Sequence, residues 1–248
     1  MKVEEDCIGY LGNRCYCEGG FPCIEIIITL DMPIRAILFD LDGTLIDQFQ
    51  AIHKAFAITL ERMGFPKPSF EEVKKAVGGA SQSTMEKLIG VKRAKEAVKM
   101  LRPIFEKEML NGLFALPGAY DILKDCKSRK IKTAVLTNKY GPHARAVCSH
   151  LKFDQYLEFT IGADDTVWKK PNLKLTKFAL NKLGVNKEET VYVGDSPYDY
   201  QTAKNSSMRC ILVPTGTHDR NELLALGNNV FIENSLTSIL DHQYCQLI

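Results

Sequence analysis

Four short runs of apolar and β-branched residues constrain the fold of this chain more than any other feature. They read IRAILFD (34–40), KTAVLTN (132–138), TVYVGD (190–195) and CILVP (210–214). Each is apolar nearly throughout, without polar alternation, and each is bounded by turn residues. Runs of this kind suit strands covered on both faces, as in a parallel sheet. Weaker runs, YLEFTIG and NVFIE, are expected at the sheet edges. Helical spacing fills the gaps. Ala119, Ile122, Leu123 and Cys126 follow Pro117-Gly118 at i, i+3, i+4, i+7, and Leu175, Phe178, Ala179 and Leu183 run until Gly184. Ser235 stands where it can cap a last short helix. Strands alternating with helices predict an α/β fold with a doubly wound, Rossmann-like parallel sheet.

One interval breaks the alternation. Residues 48–116 carry no convincing strand, yet a structureless loop of that length is foreign to a compact domain. Phe49, Ile52, Phe56, Leu60 and Met63 mark an amphipathic helix that FPKPS ends. Ser69 followed by Glu72 forms a capping-box start for SFEEVKKAV. VKRAKEAVKMLRPIFEKEML supplies more helix, with an interruption expected at Pro103. The organisation predicted is an α/β core from 34–47 and 117–248, with an all-helical cap subdomain inserted at 48–116. Residues 1–33 form an N-terminal extension outside that pattern. MPIRAILFDLDGT opens that pattern at a methionine, so Met32 is the expected initiator, with 1–31 disordered or not native to the cellular protein.

Charge and composition exclude several classes of partner. The 248 residues carry 32 basic and 30 acidic side chains, a net charge of +2, with no basic stripe for nucleic acid and no polybasic segment for an anionic membrane. No apolar run approaches the roughly 20 residues that a spanning helix needs. MKVEED is too acidic for a signal peptide, so a cytoplasmic protein, monomer or homodimer, is expected. Four of the eight cysteines, Cys7, Cys15, Cys17 and Cys23, lie near the start without a CxxC pair, a poor match to zinc spacing. Cys126, Cys148, Cys210 and Cys245 are scattered and read as small core residues.

The chemistry gathers where the strands end. In open α/β sheets, ligands bind outside the carboxyl ends of the strands. Those ends carry Asp40 and Asp42, then Thr137 and Asn138, then Gly194, Asp195 and Ser196, with Asp199 a turn later. WKKP adds Lys169 and Lys170 in a loop. Carboxylates converging at one rim are costly unless a cation offsets them. A hard divalent ion such as Mg²⁺, which takes one or two carboxylates together with waters and phosphate oxygens, would do so.

FDLDGTLID, LTN, KKP and VGDSPYD, in that order, resemble the four motifs of the haloacid dehalogenase superfamily in its phosphatase branch. The resemblance covers 34 to about 240, and LTNK with GDSPYD is most similar to the phosphoglycolate-phosphatase-like group. It implies Asp40 as nucleophile and Asp42 as general acid and base. It implies Thr137, the Asn138 amide and Lys170 as the phosphate-binding groups. It also implies a Mg²⁺ site from Asp40, the Asp42 carbonyl, Asp195 and Asp199, the last either through water or as a partner that orients Lys170. Lys170, next to Pro171, is preferred over Lys169. Asp47 is read as a capping or hinge residue where the chain leaves for the cap.

The implied reaction is hydrolysis of a small phosphomonoester (phosphoglycolate, a nucleotide or a sugar phosphate) through an aspartyl-phosphate. A small phosphorylated metabolite is the expected partner. An intramolecular phosphotransferase resembling β-phosphoglucomutase is the alternative, and an inactive binding or regulatory homologue a further one. Related mutases carry a histidine on the first cap helix, but that position is Ile52 here. His53 is therefore read as a packing residue, and Trp168 as packing beside the lysine loop. Two departures touch no catalytic group: Leu173 replaces a proline after KPN, and Ser206-Ser207 stands where a helix end is commonly glycine. Specificity is assigned to cap residues such as GGASQS (78–83).

Overall fold

The computed structural model describes residues 7–11, 14–17, 33–227 and 230–241. The chain forms two units, 1–32 and 33–248. In the first, Cys7–Leu11 (β1) and Arg14–Cys17 (β2) pair antiparallel. The expectation for 1–31 as a whole lies outside the described residues.

The second unit opens with Ala36–Phe39 (β3), followed by the two-residue strand Ile46–Asp47 (β4). Four helices come next: Phe49–Arg62 (α1), Phe70–Ala76 (α2), Ser81–Ile89 (α3) and Val91–Glu108 (α4). They bury their own cluster, with Phe56, Leu60, Met85, Leu101 and Phe105 among its members. Phe114–Ala115 (β5) then pairs antiparallel with β4, so chain exit and return run side by side as a short ribbon. Asp47 Oδ1 accepts a hydrogen bond from the Phe49 amide at 3.0 Å, which gives the start of α1 an acceptor it would otherwise lack.

The rest of the chain alternates as expected. Ala119–Ser128 (α5), Lys132–Leu136 (β6), Gly141–His150 (α6), Phe159–Ile161 (β7) and Leu173–Leu183 (α7) lead to Thr190–Gly194 (β8). Pro197–Ser206 (α8), Arg209–Leu212 (β9), Arg220–Leu224 (α9), Phe231–Ile232 (β10) and Leu236–Asp241 (α10) complete it. The sheet order is β10-β9-β8-β3-β6-β7, all parallel, with the two weaker runs at its edges. Alternate residues of β3 feed opposite layers. Ile37 and Phe39 pack towards Ile122, Leu123 and Val147, whereas Ala36 and Leu38 pack towards Leu175, Ala179 and Leu183. Coverage on both faces is why these strands read as unbroken apolar runs.

Three local expectations change. Pro103 sits inside α4 without interrupting it. Pro103 and Lys99, whose carbonyl loses its helical donor there, are both exposed, so water can satisfy that oxygen. SQSTMEKLI forms α3, which the sequence did not reveal because only Thr84 and Met85 of it are buried. The interval 48–116, read as free of strand, contains β5.

Ser207 ends α8 in the left-handed region, with φ of 51°. A side chain there costs about 1 kcal/mol or more, and Ser207 is exposed, with room for replacement. Ser207→Gly is expected to raise stability by roughly 0.5–1 kcal/mol in urea titration. A loss of stability would show that the hydroxyl makes a bond worth more than the strain.

Candidate active site

The register of the central strands brings the polar residues together. Phe39 lies level with Val135 of β6 and Val193 of β8, so the three chains end in one row. Asp40 follows β3 directly, and its amide donates to Val193 O at 2.9 Å, which fixes the carboxylate at the rim. Thr137, Asn138, Lys170, Asp195, Ser196 and Asp199 are all buried at this rim although polar. Buried polar groups need partners, and here they find them in one another.

Lys170 is the hub. Its Nζ lies 2.7 Å from Asp40 Oδ1 and 2.7 Å from Asp199 Oδ1, with 1% of the side chain exposed. Lys169 points to solvent. Asp199 is held from both sides. Its Oδ2 accepts from the amides of Asp195 and Ser196 at 3.2 and 3.1 Å and from the Ser196 hydroxyl, while its Oδ1 also accepts from Tyr192 OH at 3.2 Å. Lys170, the two amides and the Ser196 hydroxyl, with the one Tyr192 proton shared with Leu136 O at 3.0 Å, leave Asp199 little capacity for a direct metal bond. Its contact with Lys170 suits the second of the two roles the resemblance left open.

Asp195 has a different setting. Its Oδ2 accepts from the Thr217 amide at 2.9 Å, and Thr44 Oγ1 lies 3.4 Å from Oδ1. Its pKa is pushed well above the usual carboxylate range, first by desolvation and then by Asp199 and Asp40. Asp40 is pushed up to about 6 by desolvation, which Lys170 opposes and Asp199 and Asp42 reinforce. Lys170 moves the other way: burial disfavours its charge, but Asp199 and Asp40 outweigh burial and hold its pKa well above the ordinary lysine value.

Asp42 completes the set from the turn after β3. Both its oxygens are taken by Lys139 Nζ, at 3.0 and 2.9 Å. Thr137 lines the same cavity as Asp40, Asp42 and Asp195, and its hydroxyl accepts from the Lys139 amide at 3.2 Å. The Asn138 side chain is a latch. Its Nδ2 donates to Gly78 O of the cap at 3.2 Å and to Lys170 O at 3.3 Å, and its Oδ1 accepts from the Lys170 amide at 3.0 Å.

Carboxylate oxygens of Asp40, Asp195 and Asp199 all fall within 4.8 Å of one another. Two of these groups, Asp40 and Asp195, are carboxylates whose charge burial penalises and which the protein neutralises incompletely. That donor chemistry fits a hard divalent cation such as Mg²⁺. A Cβ on Gly216 would collide with Asp195 Oδ2, so the backbone itself presses against this carboxylate.

Two tests follow from the electrostatics. Mg²⁺ is expected to raise the melting temperature of the wild type, by about 2.7 kcal/mol of stability at a hundred times its Kd. Asp195→Asn should abolish that gain, and an unchanged gain would remove Asp195 from the metal site. Without metal, Asp40→Asn should be more stable than wild type at pH 7.5, because Lys170 keeps Asp199. The folded pKa of Asp40 lies above its unfolded value of 3.8, so the penalty of the charged form is complete above about pH 6 and fades as pH falls towards 4. The stability gap between variant and wild type should close over the same window. A gap that widened with acid would contradict this assignment.

The structure therefore brings Asp40, Asp42, Thr137, Asn138, Lys170, Asp195 and Asp199 to one rim. Sequence reasoning missed Lys139, Tyr192, Thr44 and Thr217. Lys139 directly follows the LTN run and could have been found there; Thr217 lies in a loop with no such signal. His53 packs on the cap, with Nε2 3.0 Å from Pro68 O and its ring edge-on to Phe70, while Ile52 faces the interior. Trp168 packs beside the lysine loop. Among the described residues, no helix is long and apolar enough to cross a membrane.

Comparison with known proteins agrees with this geometry. A family model described as haloacid dehalogenase-like hydrolase matches residues 37–213. A protein of Caldanaerobacter subterraneus subsp. tengcongensis with the provisional name pyrophosphatase PpaX is 33% identical over 182 residues, 73% of this chain and 82% of its own. A phosphoglycolate phosphatase of Aquifex aeolicus is 30% identical over 183 residues, 74% of this chain and 86% of its own. The fold is shared with a haloacid dehalogenase-like family protein of Streptococcus pneumoniae. That likeness has a TM-score of 0.75 at 22% identity and covers 84% of this chain and 98% of the other. The buried rim of carboxylates around Lys170 lies within a family match that spans most of the sequence, and the chain belongs to the haloacid dehalogenase-like hydrolases.

Proposed function

We propose that this protein hydrolyses a small phosphomonoester in a Mg²⁺-dependent reaction through an aspartyl-phosphate on Asp40. The observation that carries the reading is the Lys170 contact with Asp40 at 2.7 Å, beside Asp42, Thr137 and Asp195 in one cavity. The names of the relatives support the class: one is a phosphoglycolate phosphatase and one carries the provisional name of a pyrophosphatase.

The chain's own groups divide the work in two steps. An Asp40 carboxylate oxygen forms a bond to phosphorus while the phosphorus–oxygen bond to the leaving group breaks. The leaving oxygen takes a proton from Asp42 and departs as an alcohol. In the second step water attacks phosphorus, Asp42 takes its proton, and the acyl-phosphate bond breaks to return Asp40 and release phosphate. Thr137 and the Asn138 amide hold the phosphoryl oxygens, and Lys170 offsets their charge and that of Asp40. Asp199 keeps Lys170 in place. Asp40, the Asp42 carbonyl and Asp195 would hold Mg²⁺, which would supply neutralisation of the phosphoryl charge. The cap excludes water, with the Gly78–Asn138 hydrogen bond as one of its contacts with the core.

The mutase alternative gains no support from the cap, where His53 is engaged by Pro68 and Phe70. Asp40→Asn is expected to lower turnover of p-nitrophenyl phosphate by at least about a thousandfold, as for loss of a covalent nucleophile. Turnover within tenfold of wild type would overturn the assignment. The acid limb of kcat/KM should lie near or below pH 6, the pKa of Asp40 without metal. It should move to lower pH as Mg²⁺ rises, because metal and proton compete for the same oxygens. A limb indifferent to Mg²⁺ would mean that another group sets it.

A further inference from the structure

A second cavity continues from the catalytic one into the cap. The two share Val77, Gly79, Asn138 and Lys139, and the second is floored by apolar cap residues such as Ile52, Phe56 and Leu101. Its polar wall is one-sided. Lys139 and Arg102 line it together with the hydroxyls of Ser81 and Thr84 and with His143, whose charge burial disfavours and whose Nε2 lies 3.3 Å from Glu106 Oε1; no carboxylate is among the lining residues. The cations are braced on aromatic rings, with Arg102 over Tyr140 at 4.3 Å and Lys139 Nζ 4.8 Å from the Phe105 ring centre. An apolar-floored space with cations and no acid in its wall favours an anion.

Lys139 also stands between the two cavities. Its side chain is 7% exposed, and its charge is met by both oxygens of Asp42, which is itself 13% exposed. In that arrangement both Asp42 oxygens are already engaged by the ammonium. An anion entering the second cavity competes for the ammonium and draws it off Asp42.

On the basis of the phosphatase reading, we propose that Lys139, assisted by Arg102, is the specificity-determining residue for substrates whose leaving group carries a second anionic group. The anion replaces Asp42 as the partner of Lys139, and Asp42 becomes free to face the leaving oxygen. Recognition of the far end of the substrate and exposure of the proton-transfer group are then one event. A carboxylate and a phosphoryl group share the required chemistry.

The test compares kcat/KM for 2-phosphoglycolate and pyrophosphate, which have anionic leaving groups, with that for ethyl phosphate, which has none. The wild type should prefer at least one anionic substrate by about tenfold or more, the size of one charge-assisted hydrogen bond. Lys139→Met should reduce that preference to within about threefold, with most of the loss in KM, because the lost contact is to the bound anion. Arg102→Met, at an exposed cap position where folding is not at risk, should reduce it in the same direction. A merely structural Lys139 would depress all three substrates together and leave the preference intact, which would overturn the proposal. A wild type without any preference for the anionic substrates would overturn it as well. A wild type that hydrolyses none of the three, nor p-nitrophenyl phosphate, would instead overturn the phosphatase reading on which it rests.

Discussion

The site depends on one buried cation shared by two carboxylates. Lys170 is taken almost wholly out of water, and only Asp40 and Asp199 at 2.7 Å make that burial tolerable. Removing Lys170 itself would leave two buried carboxylates uncompensated, a loss of the kind that typically costs about 3–5 kcal/mol. The two partners are not equivalent. Asp199 is saturated by amides, a hydroxyl and Tyr192, so it behaves as a fixed anchor. Asp40 has fewer donors and keeps a pKa of about 6, well above an ordinary carboxylate. The arrangement thus separates a fully engaged carboxylate from a less engaged one, although both touch the same ammonium.

The sheet supplies this separation at little cost to the fold. Three neighbouring strands end level, so their first loop residues meet without any long connection. The helical cap leaves and rejoins at the β4–β5 ribbon, close to Asp42 in sequence, so cap position and site geometry are mechanically near each other. Asn138 ties the lysine loop to Gly78 of the cap, which makes one side chain a gauge of both.

Much of this was legible in the sequence, and the reasons are particular. The four core strands could be read because burial on both faces leaves no polar alternation. Asp40, Asp42, Thr137, Lys170, Asp195 and Asp199 could be read because carboxylates and a lysine at strand ends have no cheap structural explanation. The family resemblance then assigned their roles. What stayed hidden depended on long-range partners. Lys139 looks like a solvated turn lysine until the fold sets it against Asp42, 97 positions away in sequence. Tyr192 reads as strand packing until its hydroxyl meets Asp199. α3 is too polar to announce itself, and Pro103 looked like a break because the exposure of Lys99 and Pro103 is a tertiary fact.

The central claim is that Asp40 itself becomes phosphorylated during turnover. The most direct measurement is borohydride trapping in the presence of Mg²⁺ and p-nitrophenyl phosphate, followed by peptide mass spectrometry. Reduction of an aspartyl-phosphate leaves homoserine at the modified position. The account requires that mark at Asp40, formed only while substrate is being turned over. Steady turnover without any mark, or a mark at Asp42 or Asp195 instead, would contradict it.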